Sequence, residues 1–228
     1  MILVESKRKK IEGLQKKYPN AIIADVTSKS NNALIKLSPL YPWGDIPVPY
    51  TPNMVATCVE AVWQGLKVFE KAGVDVETFK NNSMRRIKRT TKRFGKIRGH
   101  RRGVYGHVIF DYIEARKKIY IPSYRWMLEN KALDIINRIR EINHSHTIIL
   151  LDYYTNCDVF NHTKPLSHAY LVKAYVEGLY PFEDVKEMIT HHHYYCGRKL
   201  ISWTTEETKY KEIKHDKKDP QLLIDFDF

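Results

Sequence analysis

Residues 53–69, NMVATCVEAVWQGLKVF, decide how this chain is read. At about 100° per residue, Val55, Val59, Val62, Leu66 and Phe69 fall on one side, which predicts one amphipathic helix over the whole stretch. Glu60, Gln64 and Lys67 fall together on the opposite side, with Trp63 at the border. Such a helix buries its apolar side and presents a row of carboxylate, amide and amine on the other. That row is either an ordinary solvated face or the floor of an active site.

The flanking sequence bears on this choice. Upstream, SPLYPWGDIPVPYTP at 38–52 holds five prolines together with Tyr41, Trp43, Gly44 and Tyr50. Prolines forbid helix and stiffen an extended loop. The loop either wraps the core or forms a pocket wall whose rings, Trp43 above all, could stack on a base. Downstream, residues 75–82 predict a short helix, and SMRRIKRTTKRFGKIRGHRRG at 83–103 carries ten Lys or Arg between Arg85 and Arg102 and no acid. Ser83 can cap a helix ending at Phe94 and Gly95, with Arg85, Arg89, Lys92 and Arg93 on one side. A charge run is usually a solvated face, but this density without acids points to phosphate binding.

Further out, residues 5–17 predict a basic surface helix, 21–26 a buried strand and 34–37 a second strand. Residues 104–120 fit strand or helix, with 111–118 leaning helical. A helix opens at Pro122 and continues over 124–142, and TIILL at 147–151 is the clearest strand. The polar turn after it holds Asp152, Asn156 and Asp158; polar residues at the end of a buried strand often build sites, although each alone also suits a turn or cap. A capped helix is predicted over 167–178 and another over 183–195, followed by a last strand at 199–205. His191–His193 lie on the last of these helices, where successive side chains point about 100° apart and cannot share one metal, so no metal is expected.

The 228 residues suit a single domain over 1–205 with a charged tail at 206–228. A hydrophobic content of 43% and a charged content of 28% are those of a globular protein, and no apolar run is long enough to span a membrane. The N-terminus does not read as a secretory signal. Three cysteines without paired spacing agree with a cytoplasmic default. A net charge of +12 favours a polyanionic partner, either nucleic acid or a phosphate-rich small molecule. There is no phosphate-cradling glycine loop, dinucleotide fingerprint, zinc quartet or serine elbow.

The order Ser38-Pro39, Gly44, then Glu60, Gln64, Lys67 and Phe69, followed by Lys92-Arg93-Phe94-Gly95, resembles the NADAR family of YbiA-like N-glycosidases. The resemblance covers residues 37–95. It departs in having Ala61 where the family carries His, and in lacking a Trp-Gly-x-Gly motif. It implies an α+β fold, predominantly helical, packed around a small β-sheet in the YbiA-like manner. It also implies cleavage of the N-glycosidic bond of a phosphorylated riboside or ADP-ribosylated nucleotide, free or within DNA or RNA, without a cofactor. Such a cleavage passes through an oxocarbenium-like state that a carboxylate stabilises while polarising water. By this resemblance Glu60 is the catalytic carboxylate, with Asp152 or Asp158 as the second acid. Gln64 and Lys67 orient Glu60 or hold substrate, Arg85, Arg89, Lys92 and Arg93 contact phosphate, and Trp43 or Trp63 stacks on the base. The alternatives are a non-catalytic nucleic-acid or ADP-ribose binding protein, and a nucleotide- or base-modifying transferase using the same pocket.

Overall fold

TIILLD at 147–152 becomes the central strand of a three-stranded parallel sheet in the computed structural model, which describes residues 1–181 and the backbone strands His193–Cys196 and Lys199–Ser202. With strands and helices numbered along the chain, the sheet order is β1 (Ile2–Ser6), β8 (Thr147–Asp152), β2 (Ala21–Asp25). Strands running the same way cannot be joined by a tight turn, so β1 reaches β2, on the far side of β8, through α1 (Ile11–Lys17). Successive side chains of β8 point to opposite faces. Ile148 and Leu150 enter the main core, whereas Ile149 and Leu151 pack against Leu14 of α1. Both faces are covered, which explains why β8 is apolar without alternation from Ile148 to Leu151.

In chain order, β3 (Ile46–Pro47) pairs with β4 (Val55–Ala56), and α2 (Val59–Gly65) follows. An antiparallel sheet comes next, made of β5 (Lys67–Phe69), β6 (Ile97–Arg101) and β7 (Ile109–Phe110), with α3 (Thr91–Phe94) between its first two strands. Then come α4 (Tyr112–Ala115), a π-helical turn over Arg116–Tyr120, α5 (Ile121–Asn130), α6 (Leu133–Ser145) and, after β8, α7 (His168–Val176). The final pair, β9 (His193–Cys196) and β10 (Lys199–Ser202), is antiparallel. The architecture is therefore mixed α/β, and one contiguous apolar core runs from Ile2 to Tyr180. The sheet content is divided among several small sheets, not gathered into the single one expected. No helix among the described residues is long and apolar enough to cross a membrane.

The long helix over 53–69 is not formed. Asn53 has φ +62°, Val55 and Ala56 pair with β3, and only Val59–Gly65 is helical. Cys58 caps that helix by accepting from the Ala61 amide, and the Glu60 amide donates to Pro39 O at 2.8 Å. Gly65 ends it where a Cβ would meet the Phe79 ring at 2.1 Å. Lys-Val-Phe at 67–69 then turns extended to pair with β6, so strand pairing overrides the helical period. Val55, expected in the core, is exposed, whereas Val59, Val62, Leu66 and Phe69 are buried.

The capped basic helix over 83–94 is corrected too. Met84 and Arg86 have positive φ, Asn81 and Ser83 form a local hydrogen-bonded turn, and helix is confined to Thr91–Phe94. Residues 5–17 begin as the end of β1, and Ala33–Leu37 is a 3₁₀ turn and not a strand. The helix of 122–142 breaks between α5 and α6. The helix on Ser167 is as expected: Ser167 accepts from the Tyr170 amide, and Gly178 follows at φ +72°. Cys58 is a free buried thiol. The predicted helix of 183–195 falls mostly outside the described residues; its end, from His193, is strand. His191, His192 and the tail at 206–228 lie outside them.

Candidate active site

Between the carboxyl end of the parallel sheet and α2 lies a cavity of about 530 Å³. Ligand sites favour this end of parallel strands, because the chain leaves the sheet there in loops. Glu60, Trp63, Gln64 and Lys67 form one wall, Ser38, Pro39 and Leu40 a second, and Tyr112, Arg116 and Tyr120 a third. Asp152 and His168 close the inner end, while Met84, Arg86 and Lys88 line the side supplied by the basic segment.

The polar row survives the loss of the long helix. Gln64 Nε2 donates to Glu60 Oε1 at 2.8 Å, and Gln64 Oε1 accepts from Lys67 Nζ and from the Arg89 amide, both at 3.1 Å. Three partners of fixed polarity determine which way this buried amide points. Burial pushes the Glu60 carboxyl above its ordinary range, against the hydrogen bond from Gln64 and the charge of Lys67. Burial likewise pushes Lys67 down to about 8, against the Glu60 charge and assisted by Lys88 and Arg89. A carboxyl and an amine whose pKa values are both moved toward neutrality can exchange protons with a ligand near neutral pH.

At the inner end, Asp152 Oδ1 accepts from the Tyr153 amide at 2.6 Å. Its Oδ2 accepts from Ser167 Oγ at 2.7 Å, His168 Nδ1 at 3.0 Å and the Ala169 amide at 3.4 Å. The other nitrogen of His168 meets Val26 O at 2.9 Å. Both ring nitrogens therefore face acceptors, which only the doubly protonated imidazolium satisfies. Burial opposes both charges but is outweighed by the pairing, so His168 is raised and Asp152 is held down to about 2. Asp152 thus lines the cavity with a carboxylate whose oxygens are already taken up in holding α7 to β8.

Several expected residues lie elsewhere. Arg89 is buried, and its guanidinium donates to Lys67 O at 2.6 Å, Gly73 O at 2.8 Å and Gln64 O at 3.3 Å between the rings of Phe69 and Phe94. It braces the backbone under the site and does not face the cavity. Arg85, Lys92 and Arg93 are exposed and do not line it. Trp43 donates to Lys36 O at 2.8 Å and packs edge-on to Tyr41, away from the cavity. Asp158 builds a turn, accepting from the Phe160 amide at 2.8 Å. Trp63 does face the cavity, with its ring backed by His100 at 3.7 Å between centroids.

Sequence reasoning passed over His168, Arg86, Lys88 and the third wall. That wall was legible: Tyr112, Arg116 and Tyr120 recur every four residues, hence on one helical face. Arg116 stands under the Tyr112 ring at 4.6 Å and ties down residues 159–164 through Val159 O at 2.7 Å, Asn161 O at 3.0 Å and Lys164 O at 2.9 Å. Among the described residues, no group of three or more His, Cys, Asp or Glu side chains could hold a metal ion.

These features define a mixed α/β protein with a partly enclosed cavity, lined by both apolar and polar side chains, at the carboxyl end of a parallel sheet. Residues 6–172 match a family described as a family of unknown function, DUF6939, and the chain belongs to that family. Comparison with curated proteins and with solved structures finds no match.

Proposed function

We propose that this protein is an N-glycosidase that hydrolyses the bond between a base and a phosphorylated ribose or ADP-ribose, with Glu60 as the catalytic carboxylate. The observation that carries the proposal is the convergence, in one cavity, of the Glu60–Gln64–Lys67 row with aromatic walls and the basic side chains of Arg86 and Lys88. Glu60 stabilises positive charge developing at the anomeric carbon and takes a proton from the attacking water. Its raised pKa makes it a better base than an exposed carboxylate. Lys67, pushed down to about 8, carries a proton that it can give to the departing nitrogen. Trp63 and Tyr112 offer flat apolar surface to the base, and Arg86 and Lys88 supply the phosphate contacts. The resemblance of residues 37–95 to the NADAR family favours the same chemistry, a YbiA-like fold included.

The test is release of free base from a panel of phosphoribosyl and ADP-ribosyl compounds, with wild type compared with Glu60→Gln. Loss of product with retained binding supports the proposal; unchanged turnover in the variant rejects it. One observation favours the binding-protein alternative: Arg85, Lys92, Arg93 and Lys96 are exposed and form no ion pair within the described residues. A steep fall of nucleic-acid affinity with salt, without base release, would support that alternative.

A further inference from the structure

Tyr120 closes the π-helical turn at Arg116–Tyr120, an irregularity that recurs at functional sites. Its ring is held from two sides, stacked near Tyr124 with centroids 6.2 Å apart and edge-on to Trp63 at 5.7 Å. The hydroxyl is treated differently from those of Tyr124 and Tyr180. Tyr124 donates to Leu37 O at 2.6 Å and Tyr180 to Ile121 O at 2.9 Å, as buried phenols generally do. The Tyr120 hydroxyl has no hydrogen-bond partner among the described residues, nor is it one of the sealed, unpartnered polar atoms of the core. It opens into the cavity that Glu60 also lines.

Burial, reinforced by the charges of Glu60 and Asp152, keeps this phenol protonated across the working pH range. It is therefore a fixed donor and not a proton-transfer group. A fixed donor lining the same cavity as a carboxylate acceptor is complementary to a sugar hydroxyl, which can accept from one and donate to the other.

We propose that Tyr120 is a specificity-determining residue that, with Glu60, holds a free ribose hydroxyl of the ligand, so that the site takes ribosyl and excludes 2-deoxyribosyl compounds. This rests on the glycosidase reading of the same cavity. A site built to hydrogen-bond a substrate hydroxyl discriminates against the analogue lacking it, because its own polar groups are then left unpaired.

The experiment compares wild type with Tyr120→Phe, which removes the hydroxyl and keeps the ring that packs on Tyr124 and Trp63. Binding of ribose 5-phosphate and of 2-deoxyribose 5-phosphate is measured by calorimetry, and base release is measured on matched ribosyl and deoxyribosyl substrates. Wild type should prefer the ribosyl form. Tyr120→Phe should lose about tenfold toward it and remain unchanged toward the deoxyribosyl form. Equal losses on both sugars, or no loss, overturn the assignment while base release by wild type leaves the glycosidase proposal standing. Absence of both sugar-phosphate binding and base release overturns the two together. Should the variant not fold, the ring carbon bearing the hydroxyl of Tyr120, followed by NMR in tyrosine-labelled wild type, gives the same answer. Its resonance should move with ribose 5-phosphate and stay still with the deoxy sugar; an equal response to both overturns the proposal.

Discussion

Gln64 Nε2 stands 2.8 Å from Glu60 Oε1, while the oxygen of the same amide accepts from Lys67 at 3.1 Å. One side chain thus fixes the positions of both groups assigned to proton transfer. With Glu60 acting deprotonated and Lys67 protonated, base release should follow a bell-shaped pH profile. The rate should fall below the raised pKa of Glu60 and above about 8, where Lys67 loses its proton. Lys67→Met should remove the alkaline limb. Gln64→Leu should lower turnover by about ten- to a hundredfold by freeing both groups, measured as initial rates across pH 5–9.

Of the basic segment, Arg86 and Lys88 line the cavity, not the helical row that sequence periodicity suggests. Arg86→Ala with Lys88→Ala should weaken binding of a phosphorylated ligand by about ten- to a hundredfold, in line with loss of charge-assisted contacts of about 1.5–3 kcal/mol. Lys92→Ala with Arg93→Ala should change it little. Calorimetric titration with ribose 5-phosphate distinguishes the two pairs, and equal effects would show that the cavity does not select between them.

Arg89 is expected to act on stability. Its guanidinium serves three backbone carbonyls and is buried. Arg89→Ala should lower unfolding free energy by about 2–4 kcal/mol, because buried carbonyls are left without donors at about 1–3 kcal/mol each. Denaturant unfolding reads this directly. The fraction that stays folded should bind ligand with near-normal affinity.

The Asp152–His168 pair makes stability depend on pH at both ends. Asp152, depressed to about 2, contributes stability that is present above its ordinary range near 4 and lost as pH falls through the depressed value. His168, raised by the same pairing, contributes below the ordinary histidine range and loses that contribution as pH rises through its raised value. The denaturation midpoint should therefore plateau between these limits. His168→Gln should flatten the alkaline decline. A wild-type midpoint constant from pH 6 to 9 would be inconsistent with an imidazolium at this position.

How much of this was legible can be judged residue by residue. The apolar run at 147–152 and the Ser167 cap with Gly178 have local causes, burial on both faces in one case and cap chemistry in the other, so they were readable. The Glu60–Gln64–Lys67 spacing was readable too, and it reached the site by a different route. Two residues lie on α2 and the third on β5, yet they still meet, because Gly65 lets α2 stop short against Phe79 and the chain turns at once into the sheet. Side-chain direction in the basic segment was not legible. The burial of Arg89 under β5 depends on contacts with residues more than fifteen positions away, and the positive φ at Met84 and Arg86 interrupts the helical period that the segment suggests.

The sequence by itself determined the spacing of Glu60, Gln64 and Lys67 and where the central strand and the α7 cap fall, because those follow from side-chain type and local periodicity. Only the tertiary structure decided which charges face the cavity. Facing is set by pairing between distant strands and by the unfilled hydrogen bonds of backbone carbonyls, and neither leaves a periodic trace along the chain. That is how Arg89 becomes a brace while Arg86, Lys88, His168 and Tyr120 reach the cavity.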